Sequence, residues 1–259
     1  MNPTIILKSL LGMVCAGLIT IPLFADAPAA SPGTYGSVAG EGAAQPKLCG
    51  AEAKSPTGDG PIRGIHAHVC GFHFYSGAMN RALRADHYCS HLNQDVFQCI
   101  IYDSNERNAR LVGVEYIISE TLFNQLPGDE KKLWHSHRYE VMSGQLVAPD
   151  LSDVAEQALM KELVGTYGKT WYLWQVDRGD KLPLGLPKLM MGFTGDDQAN
   201  PQMVAGRDRD LNLNATVLKS RRAGLATRPV ANGADGWQNG QAFQIDDSLL
   251  KQPQTGFKP

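Results

Sequence analysis

The sequence lacks the short motifs that identify several classes of enzyme. It has no HExxH metalloprotease helix, no GxSxG nucleophile elbow and no CxxC pair of a zinc ribbon or redox centre. Its formal net charge of −2 offers no basic surface for nucleic acid. No internal repeat is found. What remains is an ordinary globular composition in a chain long enough for one domain with a substantial core.

The first 25 residues have the pattern of a secretory signal peptide. Lys8 supplies a positive charge, residues 10–24 are almost wholly apolar, and Ala25 is a small residue at a cleavage site. We therefore expect an exported protein, periplasmic or extracellular, that begins near Asp26. The alternative is an uncleaved membrane anchor, because the apolar run approaches the ~20 residues that cross a bilayer.

Composition divides the rest of the chain into three parts. Residues 26–64 are rich in Ala, Gly, Pro and Ser and have few bulky apolar side chains, which predicts a flexible leader. Residues 65–225 carry the periodic apolar positions of one folded domain. Residues 226–259 form a C-terminal tail with little periodicity, although Trp237 and Phe243 are able to dock onto the domain.

Within residues 65–225 the pattern predicts an α+β domain with a mixed or antiparallel sheet and packed helices. Apolar residues at helical spacing predict a helix from Met79 that reaches towards His91. Strands are expected over residues 96–102 and 111–118, and Ser119 is expected to cap a broken helix. Residues 135–147 have extended character. A helix is predicted to start at residues 149–152, with one face formed by Leu151, Val154, Ala155, Ala158, Leu159 and Glu162.

Two pairs of histidines form the candidate site. His87 and His91 would share one face of the predicted helix, and His135 and His137 would share one face of an extended segment with Tyr139. If the two segments pack together, the four imidazoles line one polar pocket. Such a pocket suits a divalent metal such as zinc, with an open position for water. The alternatives are a hydrogen-bonded structural core and acid–base chemistry without a metal.

Other polar residues of the domain are weaker candidates. Glu115 lies on a predicted strand. Its carboxylate could serve as a metal ligand or a base, or it could form an ion pair with Arg110, Arg138 or Arg178. His66, His68 and His73 lie in an extended stretch. Residues 135–140 invite comparison with the cupin metal motif, but an extended segment would turn Glu140 away from the two histidines.

Four cysteines follow the predicted signal peptide, at positions 49, 70, 89 and 99. An even number in an exported chain permits disulfides. Buried reduced thiols are equally compatible with the sequence.

Several motifs, in order, resemble one known family. Residues 87–93, 99–104, 113–119, 133–137 and 167–180 are similar to segments of the oil body-associated protein family, a domain of unknown function. The resemblance runs from about residue 65 to residue 191. It implies plant relatives at seed oil bodies and microbial relatives without assigned biochemistry, and it carries no catalytic residues. The export signal would make this chain an exported, bacterial-type member.

The resemblance and the histidines point to two different classes of function. The family favours a non-enzymatic protein that associates with lipid, a membrane surface or another apolar ligand, and the exposed-looking Trp171 and Trp174 agree with it. The histidines favour a metal-binding protein or metalloenzyme.

Because Cys70, Cys89 and Cys99 lie within motifs similar to those of cytosolic relatives, the resemblance makes Cys49–Cys70 the expected bridge if one exists.

Overall fold

Antiparallel strands form a closed ring in the described part of the chain. The computed structural model describes residues 60–249, and the predicted signal peptide lies outside them. The strands found there are β1 (Ala67–Tyr75), β2 (Ala78–Asn93), β3 (Val96–Tyr102), β4 (Leu111–Ile118), β5 (His135–Ser136), β6 (Tyr167–Tyr172) and β7 (Lys188–Met191). β4 pairs with both β3 and β6, so the order β4-β3-β2-β1-β7-β6 closes on itself, and the short β5 joins β6. The predicted strands over residues 96–102 and 111–118 are confirmed.

Short helices surround the ring. They are α1 (Glu120–Gln125), α2 (Gly128–Lys131), α3 (Arg138–Ser143), α4 (Asp153–Leu163), α5 (Pro201–Asp210) and α6 (Ala215–Arg222), with 3-10 turns at Pro61–Gly64, Val176–Arg178, Gly236–Asn239 and Asp247–Leu249. Ser119 caps α1 through its hydroxyl oxygen, as predicted. Ser152 caps α4 in the same way, which agrees with the helix start predicted at residues 149–152. Between residues 60 and 249, no helix has both the length and the apolar character to cross a membrane.

The helix predicted from Met79 towards His91 is wrong, because these residues belong to β2. This strand pairs with β1 along one edge and with β3 along the other. Its Met, Ala, Leu and Arg residues favour helices in isolation. Propensity is a weak preference of about 1 kcal/mol or less per residue, and two ladders of backbone hydrogen bonds outweigh it here.

The extended segment predicted over residues 135–147 is also largely wrong. Only His135 and Ser136 form a strand, and α3 follows at once. The helix ends at Gly144, whose φ of 78° lies in the left-handed region that a residue without Cβ adopts freely. This tight helical turn reverses the expected direction of Glu140.

The face predicted for α4 is confirmed only in part, since Leu151 and Leu159 pack against the apolar core. The helix buries Glu156, Met160 and Leu163, whereas Val154 is largely exposed. Glu156 is buried because it pairs with the fully buried Arg222 of α6. The guanidinium of Arg222 also donates to the carbonyl oxygens that flank the end of α3. This arginine therefore fixes α3 and α4 against each other.

The segment after residue 225 contacts the sheet. Trp237 and Phe243 pack in the same apolar cluster as Phe74 of β1. Asp235 accepts hydrogen bonds from the backbone N–H and the hydroxyl of Ser136, at 2.9 and 2.7 Å. The folded unit therefore extends beyond residue 225.

One disulfide joins Cys89 of β2 to Cys99 of β3. These two residues are direct cross-strand partners, which places their side chains side by side. The expected Cys49–Cys70 bridge is wrong, since Cys70 is a free, buried thiol; Cys49 lies outside the described residues.

Candidate metal centre

A group of buried histidines surrounds one glutamate inside the ring. His73 comes from β1, His87 from β2 and Glu115 from β4, while His135 lies in β5 and His137 directly follows it. All five side chains are buried. Each strand projects alternate side chains inward, so the residues meet although they are up to 64 positions apart in the chain, from 73 to 137. We call these five residues the histidine–glutamate centre.

Each ring of the centre directs its Nε2 atom towards the Glu115 carboxylate. His87 lies 2.8 Å and His73 3.6 Å from Oε2. His137 lies 3.1 Å and His135 3.5 Å from Oε1. The two oxygens of one carboxylate thus each face two imidazole nitrogens.

The second ring nitrogen defines the tautomer of two histidines. Nδ1 of His87 donates to the carbonyl oxygen of Val69 at 3.3 Å, and a carbonyl only accepts. Nδ1 of His137 donates to the Thr166 hydroxyl at 2.8 Å, because that hydroxyl donates its own proton to a backbone carbonyl. In neutral rings, both Nε2 atoms therefore present lone pairs to Glu115. Outer hydrogen bonds of this kind orient metal-binding histidines.

Three buried polar atoms of this region have no hydrogen-bond partner among residues 60–249. Both ring nitrogens of His135 lack one, and so does Oε2 of Glu140, which lies 3.9 Å from His135 Nε2. Glu140 is three residues beyond His137 on a helical turn, so it returns to the same side. Buried polar atoms are rarely left without a partner, and a metal ion is one explanation for them.

Among residues 60–249, no Lys or Arg side chain forms a salt bridge with Glu115 or Glu140; their charged partners are all histidines. Burial acts to raise the pKa of Glu115, but hydrogen bonds from the Nε2 atoms of His137 and His87, which form only when those rings carry a second proton, outweigh it and hold that pKa well below the usual value. Burial lowers the pKa of His73 well below its usual value and that of His135 to about 3, so both rings are neutral. The Glu115 anion then needs protons on the other two rings or a bound cation.

Burial, reinforced by the nearby Glu115, raises the pKa of Glu140 well above its usual value. A small cavity of about 10 Å³ adjoins this carboxyl and four of the centre's residues, and its other walls are apolar. That volume is close to the minimum for one water molecule.

Two glycines leave space for the centre. A Cβ on Gly168 of β6 would overlap Oε1 of Glu115 and lie 2.9 Å from His135 Nε2. A Cβ on Gly192 would lie 2.9 Å from Oε2 of Glu140. Any side chain at either position would displace a candidate ligand.

The structure brings together only part of the site predicted from sequence. His87, His135, His137 and Glu115 meet, whereas His91 lies elsewhere, with its Nδ1 2.9 Å from His66 and its Nε2 3.1 Å from Glu162. The reason is the strand geometry of β2, because four residues span about 13 Å in a strand and only about 6 Å in a helix.

Tyr139 also lies outside the centre, because α3 turns it outward and its hydroxyl donates to Asp196 at 2.8 Å. From the sequence, His73 was a weak candidate, and Glu140 was expected to point away from His135 and His137. The sequence also offered arginine partners for Glu115, which instead contacts histidines. The pairing of β1 with β2 places His73 in the centre, and the helical turn of α3 brings Glu140 beside it.

A separate polar cluster lies on the opposite face of β1. His68 contacts Asp86 at 3.0 Å and Asp150 at 2.8 Å, and Asp86 also accepts from Arg84 at 2.7 Å. Burial acts to lower the pKa of His68, but the two carboxylates outweigh it and raise that pKa. This cluster joins β1 and β2 to the loop before α4.

Apolar side chains cross the outer face of the ring. Tyr88, Ile100, Val114 and Trp171 are successive cross-strand neighbours on β2, β3, β4 and β6, and none is fully buried. We call these four residues the outer apolar row. Two grooves of about 200 and 320 Å³ lie along it, both bordered by Ile62.

Comparison with known proteins places the chain in a family. Residues 59–226 match the family described as a protein of unknown function (DUF1264). The chain is 43% identical to oil body-associated protein 1B of Arabidopsis thaliana over 178 residues, which are 67% of this chain and 74% of the relative. It is 43% identical to protein 1A of Zea mays over 180 residues (68% and 76%) and 42% identical to protein 2C of Arabidopsis thaliana over 195 residues (74% and 82%).

The chain therefore belongs to the oil body-associated protein family, as its motifs predicted. The relatives named above are plant proteins, so an exported, bacterial-type member remains a prediction. No solved structure matches the chain significantly.

Proposed function

We propose that this chain is a metal-binding protein that holds a divalent first-row transition metal at the histidine–glutamate centre. The observation that carries the proposal is the direction of the Nε2 lone pairs of His87 and His137, which converge on the Glu115 carboxylate while each Nδ1 is occupied by an outer acceptor. A structural network of charged histidines is the competing explanation.

The spacing of the donor atoms supports the metal. Two ligands that are each about 2.1 Å from an ion, at angles of 90–109°, lie about 3.0–3.4 Å from each other. The four Nε2 atoms lie 2.8, 3.1, 3.5 and 3.6 Å from a Glu115 oxygen. Imidazole and carboxylate donors suit zinc, iron, copper or manganese more than calcium or magnesium.

Elemental analysis tests this proposal. The full chain, purified without a histidine tag and incubated with zinc or manganese, is expected to retain metal after gel filtration. His137→Gln should lose it, because glutamine lacks the oriented imidazole. His91→Gln is the matched control, since His91 lies outside the centre, and it should retain metal. Wild-type protein with no more metal than a chelator-treated sample would overturn the proposal.

A second function, association with an apolar lipid surface, is favoured by the outer apolar row and by the oil bodies after which the relatives are named. All four residues of the row are partly exposed, and apolar patches on a protein surface often mark interaction sites. Flotation with a phospholipid-coated triacylglycerol emulsion tests it. Ile100→Lys should weaken flotation and Val154→Lys, a change at an isolated exposed residue of α4, should not. Equal flotation of both variants would contradict this function.

The proposed compartment is the periplasm or the extracellular space. The Cys89–Cys99 disulfide supports it, because disulfides persist in oxidising compartments. N-terminal sequencing of the mature protein should begin near Asp26. Intact Met1 in a membrane fraction would instead support an anchor.

A further inference from the structure

We infer that the centre holds two metal ions, bridged by the carboxylate of Glu115, with a water or hydroxide as a further shared ligand. This inference rests on the proposed metal-binding function and specifies it.

The donor atoms form two groups. His73, His87 and Glu115 make one triad, and Glu115, His135 and His137 make the other; within each triad the donor atoms all lie within 4.8 Å of one another. The two triads share Glu115. The first uses its Oε2 and the second its Oε1.

This division matches a bridging carboxylate. In such a bridge each oxygen binds a different ion, and two-metal sites hold their ions about 3.5–4 Å apart. A single ion chelated by both oxygens would instead require all four rings to converge on one point. In that arrangement every pair of ligand atoms would have to lie within about 4.2 Å, which is twice a bond of about 2.1 Å.

Glu140 offers the second triad a fourth donor. Its Oε2 is buried, has no hydrogen-bond partner among the described residues, and lies 3.9 Å from His135 Nε2. It is therefore available as a ligand to the ion held by His135 and His137. Gly192 leaves the space that this carboxylate occupies.

The small cavity beside Glu140 offers the space for the shared water or hydroxide. Its polar wall combines His73 and His87 of one triad with His137 of the other, together with Glu115 and Glu140. At about 10 Å³ it is close to the minimum size for one water molecule. Water bound to such ions is a stronger acid than bulk water, so the bridge would be hydroxide near neutral pH.

Metal stoichiometry tests this inference. Full-length, untagged chain loaded with manganese and freed of excess ion should contain two ions per chain by elemental analysis. X-ray absorption should show a metal–metal vector of about 3.5–4 Å. One ion per chain and no such vector would overturn the two-ion centre and leave the proposed function standing. No bound ion would overturn both.

Variants of each triad provide an independent check. His73→Gln and His135→Gln should each reduce the content from two ions to one, because each change removes a ligand from a different triad. His91→Gln should keep both. A centre with one ion would respond differently, since both substitutions would then weaken the same ion and neither would leave a full equivalent.

Discussion

Gly168→Ala should disrupt the histidine–glutamate centre with the smallest possible change, one methyl group. Gly168 of β6 is the cross-strand partner of His135, and its added Cβ would overlap Oε1 of Glu115. The strand cannot shift freely, because β6 pairs with β4, β5 and β7. Glu115 must therefore rotate away from His137 and His135.

The magnitude follows from the crowding. Adding a methylene-sized group to a well-packed core costs about 1–3 kcal/mol. In a domain of this size each kcal/mol shifts the melting temperature by about 2–4 °C, so the metal-free variant should melt about 2–12 °C lower than the wild type. Losing the position of one ligand should weaken metal binding at least as much as losing an outer-shell partner, which is about 10–100-fold.

Differential scanning fluorimetry, with chelator and with zinc, measures both effects. An affinity lower by 10–100-fold removes about 1.4–2.7 kcal/mol of metal-dependent stabilisation at saturating ion, so the zinc-induced rise in melting temperature should shrink. Gly165→Ala is the matched control, since its Cβ would meet no atom within 4 Å. If Gly168→Ala melted and bound zinc like the wild type, Glu115 could not occupy the position described here.

Three other perturbations test the surrounding structure. Replacing both Cys89 and Cys99 by serine should lower the free energy of unfolding by about 3 kcal/mol, the loop-closure value for their separation of 10 residues, as measured by urea denaturation. His68 has a raised pKa in the folded state, so its contribution to the free energy of unfolding is complete below its unfolded pKa of 6.5 and is lost as the pH rises through the folded value. His68→Asn should remove that loss from the profile of stability against pH, and an unchanged profile would contradict the pairing of His68 with carboxylates. Arg222→Ala should cost about 3–5 kcal/mol by leaving Glu156 buried without its partner, and the added change Glu156→Ala should restore part of the loss, whereas no restoration would argue against the pair.

Local patterns in the sequence were sufficient for some elements. Residues 96–102 and 111–118 alternate or run apolar in the manner of strands and are strands with those bounds. Ser119 was recognisable as a cap because capping depends on the residue itself and its immediate neighbours. The family was recognisable from ordered motifs.

Features that depend on pairing were not predictable in the same way. Treating β2 as a helix hid the hairpin in which Cys89 and Cys99 are opposite each other, so their bridge was not predicted. His73 reaches the centre through the register of β1 against β2, which local spacing does not contain. The burial of Glu156 depends on its partner, Arg222, which is 66 residues away and which no local pattern indicates.

The closed order of strands also determines how fast an ion in the centre would exchange with solvent. Closure through β4 and β6 surrounds the donors with paired strands, and all five of their side chains are buried. An ion leaving the centre would have to wait for strands to separate, so its rate of release would follow local or global opening of the protein and not the strength of the metal–ligand bonds. Loading of the folded protein would depend on the same opening, so incubation with the ion would have to last long enough for the strands to open.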